Sequence, residues 1–139
     1  HQSGEKQIDE LRSNYAAAGV QAELTPFIDN TAQAFADADW VICRAGASTV
    51  TEIAAVGAPA LFVPFPSAVD DHQTHNARFL VDQGAGWLIP QSELTPELLA
   101  NLLQKTERST LLTRGLEAKK LQQLRATHAV VAACEELCV

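Results

Sequence analysis

Ile8, Leu11 and Tyr15 recur at helical spacing and the pattern stops at Gly19, which predicts an amphipathic helix over residues 5–18 closed by a glycine. Residues 21–24 predict a short strand that Pro26 breaks, and Asp29 or Asn30 then caps a short helix running to about Ala38. Apolar runs without alternation at 40–43 and 60–63 predict two strands buried on both faces. Between them lie a turn of small residues and a helix over 49–56, closed by Gly57 and Pro59. A loop with Pro64, Pro66 and Ser67 leads through Asp70 and Asp71 into a helix predicted over 72–83. Gly84 and Gly86 end that helix, and a last strand is predicted over 87–89. In Thr95-Pro96-Glu97 a capping residue precedes proline at the first helical position; 95–106, 109–124 and 128–137 all predict helix, with a weak point at Gly115.

Apolar strands alternating with helices predict an α/β fold, a doubly wound parallel sheet covered on both sides. A doubly wound sheet places its first strand centrally, yet the first element here is a helix. The missing strand is expected before His1, and a chain that opens on His1 and contains no Met reads as a piece of a longer polypeptide. Its 139 residues are enough for about one domain.

Composition sharpens this picture modestly. Apolar residues at 47% and charged ones at 19% exclude a disordered chain. A net charge of −7 argues against a nucleic-acid partner, because that binding depends on Lys and Arg neutralising phosphates. No apolar run approaches the roughly 18 residues of a membrane-spanning helix. The cysteines Cys43, Cys134 and Cys138 are odd in number and sit in predicted strand or helix, which fits a reducing compartment. Cys134 and Cys138, one helical turn apart, are expected as small buried thiols rather than metal ligands.

The chemistry concentrates in the segment Arg44-Ala-Gly-Ala-Ser-Thr-Val-Thr-Glu52. A helix start after a small-residue turn offers free backbone N–H groups and a positive dipole end to an anion, usually a phosphate. Thr49 and Glu52 also satisfy the capping-box pattern, which would make this only a well-closed helix. Gly46, Ala47 and Ser48 leave the approach sterically open, and the turn follows the carboxyl end of a buried strand, where open α/β sheets place ligands. A carboxylate just inside the helix, Glu52, suits the vicinal hydroxyls of a sugar. Arg44 either counters phosphate charge or pairs with a nearby carboxylate.

The next loop at the same sheet edge carries Asp71-His-Gln-Thr-His-Asn76. Gln73 and Asn76 share one helix face, and side-chain amides both donate and accept, as sugar hydroxyls require. The plainer reading is a helix start with Asp70 and Asp71 favoured by the dipole. His72 and His75 beside the aspartates suggest a metal, but no further ligand has suitable spacing, and no metal is expected. Asp37-Ala-Asp39 reads as a helix C-terminal turn rather than a metal-binding DxD loop. GxGxxG, Walker and Ser–His–Asp signatures are all missing, so no cofactor is expected and no catalytic residue stands out.

Arg44-Ala-Gly-Ala-Ser-Thr-Val-Thr-Glu-Ile-Ala-Ala-Val-Gly-Ala-Pro-Ala-Leu-Phe-Val-Pro64 followed by Asp71-His-Gln-Thr-His-Asn-Ala77 resembles the MurG family. Its members are UDP-GlcNAc:undecaprenyl-pyrophosphoryl-MurNAc-pentapeptide GlcNAc transferases of peptidoglycan synthesis. The opening His1-Gln-Ser-Gly4 and the segment Thr25-Pro-Phe-Ile-Asp29 are similar as well, so the likeness covers residues 1–105. It implies the Rossmann-like C-terminal half of a GT-B glycosyltransferase, lacking its first strand, its glycine-rich diphosphate loop and its acceptor domain.

The resemblance also implies roles. The backbone of Ile28 holds the uracil. The helix start at Gly46, Ala47, Ser48 and Thr49, continuing through Val50 and Thr51, meets the sugar and phosphate region, with Arg44 beside it. Glu52 holds the ribose, and His72, Gln73 and Asn76 read the GlcNAc hydroxyls. His72 departs from the family, which often has Gln there. The implied reaction is an inverting displacement of UDP by the 4-hydroxyl of MurNAc in lipid I, on the cytoplasmic face of the plasma membrane. A base outside this chain would serve it, so the chain alone is expected to be inactive. The rival readings are a donor-binding subunit of another GT-B UDP-sugar transferase and a non-catalytic nucleotide-binding module.

Overall fold

The computed structural model describes residues 1–67 and 69–137. The chain forms two compact units, His1–Ala34 and Phe35–Val139. In the first, α1 (Ile8–Ala17) buries Ile8 and is followed by Gly19 at φ +66°. The strand expected at 21–24 does not form. Pairing is limited to a parallel bridge between Gln2 and Thr25, with Ser3 N–H on Thr25 O and Thr25 N–H on His1 O, both at 3.1 Å. Gln21 and Glu23 are polar and exposed, so nothing apolar rewards extending that ladder. His1 Nδ1 meets the Tyr15 hydroxyl at 3.1 Å. Asn30 Oδ1 accepts the Gln33 N–H at 3.0 Å and opens α2 (Thr31–Asp37), as its position predicts.

The second unit holds a parallel sheet of β1 (Val41–Cys43), β2 (Ala60–Phe62) and β3 (Gly86–Leu88) in that spatial order. The registers are Val41 to Ala60 and Ala60 to Gly86. The central strand β2 is fully buried, as its unbroken apolar run predicts, whereas Ile42 on the outer strand β1 is 45% exposed. Gly86 is required by this packing: a Cβ there would sit 2.8 Å from Ala60 O and 3.3 Å from the Phe62 ring.

The helices are α3 (Ala47–Val56), α4 (His72–Val81), α5 (Pro96–Lys105), α6 (Arg108–Lys120) and α7 (Ala126–Leu137), with a 3-10 turn Val69–Asp71 entering α4. Thr95 caps α5 as predicted, its Oγ1 accepting Leu98 N–H at 3.1 Å, with Pro96 in the first turn. Helix α3 packs against α6 and α4, enclosing a core of Val50, Ile53, Ala54, Phe62, Ala77, Leu80 and Ala118. Gly57 ends α3 at φ +81° and lies against Gly115. Gly115 is therefore a buried contact point inside a continuous helix rather than a weak one, because a glycine lets two backbones approach where any Cβ would collide. One residue before Gly115 on α6, the Arg114 guanidinium lies 4.1 Å over Trp87, whose ring packs on Trp40 at 4.7 Å, and Arg114 Nη1 donates to Gly84 O and Gly86 O. Burial lowers the Arg114 pKa from its ordinary value. Helix α7 buries no residue, and Cys134 on it is exposed, contrary to its expected burial. Cys138 lies outside the described residues.

Candidate functional site

Helix α3 begins earlier than its capping-box pattern predicts. Gly46, extended at φ −62° and ψ 148°, is the N-cap, and no side chain caps the helix. Thr49 is thus the third helical residue, and Glu52 does not bond back to it. The cause is the Gly46 backbone, which enters the helix directly from the strand exit and leaves Thr49 too deep to cap. Val50 N–H is the first to find an intrahelical acceptor, Gly46 O at 3.0 Å. The N–H groups of Ala47, Ser48 and Thr49 stand at the positive end of the helix without an acceptor in the helix itself. Ala47 and Ser48 are exposed, which keeps that end accessible. Two neighbours contribute no side chain: Val50 is in the core, and the Thr51 hydroxyl donates to Ala47 O and Ser48 O. Glu52 is exposed and makes no hydrogen bond or ion pair among the described residues.

Facing the same turn, α4 contributes two amides that both bond the main chain of Ala45. Gln73 Oε1 accepts the Ala45 N–H at 3.3 Å and the Phe65 N–H at 2.9 Å. Asn76 Nδ2 donates to Ala45 O at 3.0 Å. Backbone groups therefore set which way each amide points, and Ala45 is fully buried. Gln73 keeps its Nε2 donors for another partner, and Asn76 keeps its Oδ1 acceptor.

Among the described residues Arg44 contacts no carboxylate. Its Nη1 donates to Val63 O and Pro64 O, each at 3.0 Å, its Nη2 donates to Gln91 Oε1 at 2.6 Å, and its guanidinium lies 5.5 Å from the Phe65 ring centre. It ties together the loops leaving all three strands. Ala45, Phe65 and Gln91 were not legible as site residues, because they act through main chain or across 47 positions of sequence.

At the start of α4, Asp70 and Asp71 both adopt φ +52°, in the left-handed region that aspartate tolerates better than most residues. Asp71 accepts the Thr74 hydroxyl at 2.6 Å, and its carbonyl meets His75 Nδ1 at 3.1 Å. His72 is the first helical residue and is exposed. Among the described residues no group of three or more His, Cys, Asp or Glu side chains converges as a metal site would require. Ile28 belongs to the first unit and is half-buried. Cys43, preceding Arg44, is half-buried, and burial pushes its thiol pKa up to about 11.

Residues 1–132 match the glycosyltransferase family 28 C-terminal domain. The chain belongs to this family. It is 81% identical over 137 residues to a protein of Albidiferax ferrireducens and 75% identical to one of Polaromonas sp.. Both are named UDP-N-acetylglucosamine--N-acetylmuramyl-(pentapeptide) pyrophosphoryl-undecaprenol N-acetylglucosamine transferase. Each match takes in 99% of this chain but only 35% of the relative's length. The crystal structure of Acinetobacter baumannii MurG superposes with a TM-score of 0.92 at 43% identity, over 98% of this chain and 42% of that one. The Rossmann-like parallel sheet of a GT-B half, expected from the resemblance, is the fold observed in this family 28 domain.

Within this family 28 domain, the open α3 start, the unpaired Glu52 and the two oriented amides all belong to the second unit. The set offers backbone donors for an anion, a carboxylate for hydroxyl donors, and one amide donor and one amide acceptor for further hydroxyls. An activated sugar carried on a phosphate presents the matching groups. No helix among the described residues is long and apolar enough to cross a membrane.

Proposed function

We propose that this chain is the UDP-GlcNAc-binding part of a transferase that moves GlcNAc to the 4-hydroxyl of MurNAc in lipid I, making lipid II. The observation that carries this reading is the uncapped start of α3 beside two amides anchored on Ala45, in a chain so similar to proteins named for that transfer. The N–H groups of Ala47, Ser48 and Thr49 take the diphosphate and stabilise the charge that builds on UDP as it leaves. Such pre-aimed donors are worth about 3 kcal/mol each where water is excluded. Glu52 accepts hydrogen bonds from the ribose hydroxyls. Gln73 donates to one sugar hydroxyl and Asn76 accepts from another, with His72 at the rim. A sugar epimer with a misplaced hydroxyl leaves one of these amides unpaired, which is how polar sites discriminate.

The acceptor site and the catalytic base are supplied outside this chain, and the intact protein works as a peripheral protein at the cytoplasmic face of the plasma membrane. The test is transfer of labelled GlcNAc from UDP-GlcNAc to a lipid I analogue. The intact protein is expected to give lipid II, with inversion at the anomeric carbon, and this chain alone to give no turnover. Turnover by the chain alone at the intact protein's rate, or no transfer by the intact protein, contradicts the reading.

A further inference from the structure

Arg44 sits in the turn leading to the α3 start, where a cation invites assignment to the diphosphate. Its bonds point to a different job. Nη1 donates to Pro64 O at 3.0 Å, and the N–H of the same Pro64–Phe65 peptide donates to Gln73 Oε1 at 2.9 Å. No peptide bond is cis among the described residues, so the carbonyl and N–H of this unit point to opposite sides. Arg44 holds one side of the plane and Gln73 the other. A guanidinium on the carbonyl also polarises the peptide and strengthens its N–H as a donor.

The remaining bonds make this arm rigid. Val63 O shares Nη1, Gln91 Oε1 takes Nη2, and the Phe65 ring lies under the guanidinium. Without Arg44 the 64–65 peptide loses the side-chain anchor on its carbonyl. Gln73 then keeps only the longer bond from Ala45 N–H, at 3.3 Å, and one such bond leaves its amide free to rotate. We propose that Arg44 is a positioning residue for sugar recognition, fixing the Gln73 amide through the Pro64–Phe65 peptide rather than touching the diphosphate. The proposal rests on the donor-site reading above and adds to it which residue sets the polarity of the sugar-facing amide.

Calorimetric titration of the intact protein with UDP, UDP-GlcNAc and UDP-GalNAc separates the possibilities. In Arg44→Gln, UDP affinity is expected to stay within about twofold while the preference for UDP-GlcNAc over UDP-GalNAc falls about tenfold, the scale set by losing an oriented hydroxyl partner. Arg44→Lys, which donates without the planar fork, is expected to fall between wild type and Arg44→Gln. Gln91→Leu removes only the Nη2 acceptor and is expected to lower the preference by a smaller factor; it carries the test if Arg44→Gln does not fold. Equal weakening of UDP and UDP-GlcNAc in these variants, as a diphosphate contact predicts, overturns the proposal, as does an unchanged epimer preference. A wild-type protein that shows no UDP-GlcNAc binding at all overturns the donor-site reading itself, before any variant is compared.

Discussion

Gln73 and Asn76 grip opposite poles of one residue: Gln73 accepts from the Ala45 N–H at 3.3 Å, and Asn76 donates to the Ala45 carbonyl at 3.0 Å. The same two side chains, one turn apart on α4, therefore present opposite chemistry outward. Gln73→Glu and Asn76→Asp are consequently expected to behave differently. A glutamate still accepts the Ala45 and Phe65 N–H groups, so folding survives while the outward donors vanish and UDP-GlcNAc affinity drops about tenfold or more. An aspartate at 76 sets oxygen against the Ala45 carbonyl and costs about 1–3 kcal/mol of stability. Urea denaturation alongside titration checks the pair; equal stability losses in both variants contradict the assigned polarity.

Glu52 has no cap to maintain, since Gly46 opens α3 and no side chain closes it. Glu52→Gln is expected to change unfolding free energy by less than about 0.5 kcal/mol, as for surface positions without a structural partner. Affinity for UDP should fall as much as affinity for UDP-GlcNAc, because the ribose is common to both. A large drop in stability with affinity preserved would return Glu52 to a structural role.

The misplacement of that helix start shows what sequence can and cannot carry. Thr49 and Glu52 fit the capping pattern, and only the extended Gly46 backbone decides that the helix starts earlier. The apolar run at 60–63 was legible because burial on both faces leaves no other reading; the run at 40–43 does form a strand, but on the outside of the sheet, with Ile42 exposed rather than buried. The polar 21–24 segment was misread because its chain neighbour Thr25 pairs with Gln2 at a single bridge. The Gln73 and Asn76 face was visible as one helical turn, but its donor and acceptor polarity comes from the main chain of Ala45 and Phe65, which carries no sequence signal. Arg44 has partners 19, 20 and 47 positions away, beyond any local pattern.

Gly115 tests tertiary contact against helix propensity. Alanine in place of a helical glycine gains about 1 kcal/mol in an exposed helix. Here its Cβ would lie 2.5 Å from Gly57 O, a backbone atom that cannot move aside cheaply. Gly115→Ala is expected to be net destabilising, within the roughly 1–3 kcal/mol typical of overpacking. Chemical denaturation decides it, and a more stable variant would show that α3 and α6 do not pack as closely as described.

Cys43 should resist alkylation in the folded protein. Burial favours its neutral thiol and raises its pKa to about 11, so the unfolded chain releases that proton at lower pH than the folded one. The folded state is thus progressively disfavoured as pH rises from about 9, the thiol's ordinary value, towards 11. Peptide mapping after iodoacetamide at pH 8 is expected to find exposed Cys134 modified well before Cys43. Rapid labelling of Cys43 in folded protein contradicts its burial.

The central claim is that the open start of α3 receives a nucleotide sugar. The most direct measurement is to follow the backbone amide signals of Ala47, Ser48 and Thr49 in isotopically labelled intact protein during titration with UDP-GlcNAc, UDP-GalNAc and NAD. The account predicts saturable shifts at these amides, reached at the lowest concentration with UDP-GlcNAc and not produced by NAD. UDP-GlcNAc binding that leaves these amides unmoved, or NAD producing the same shifts, would contradict it.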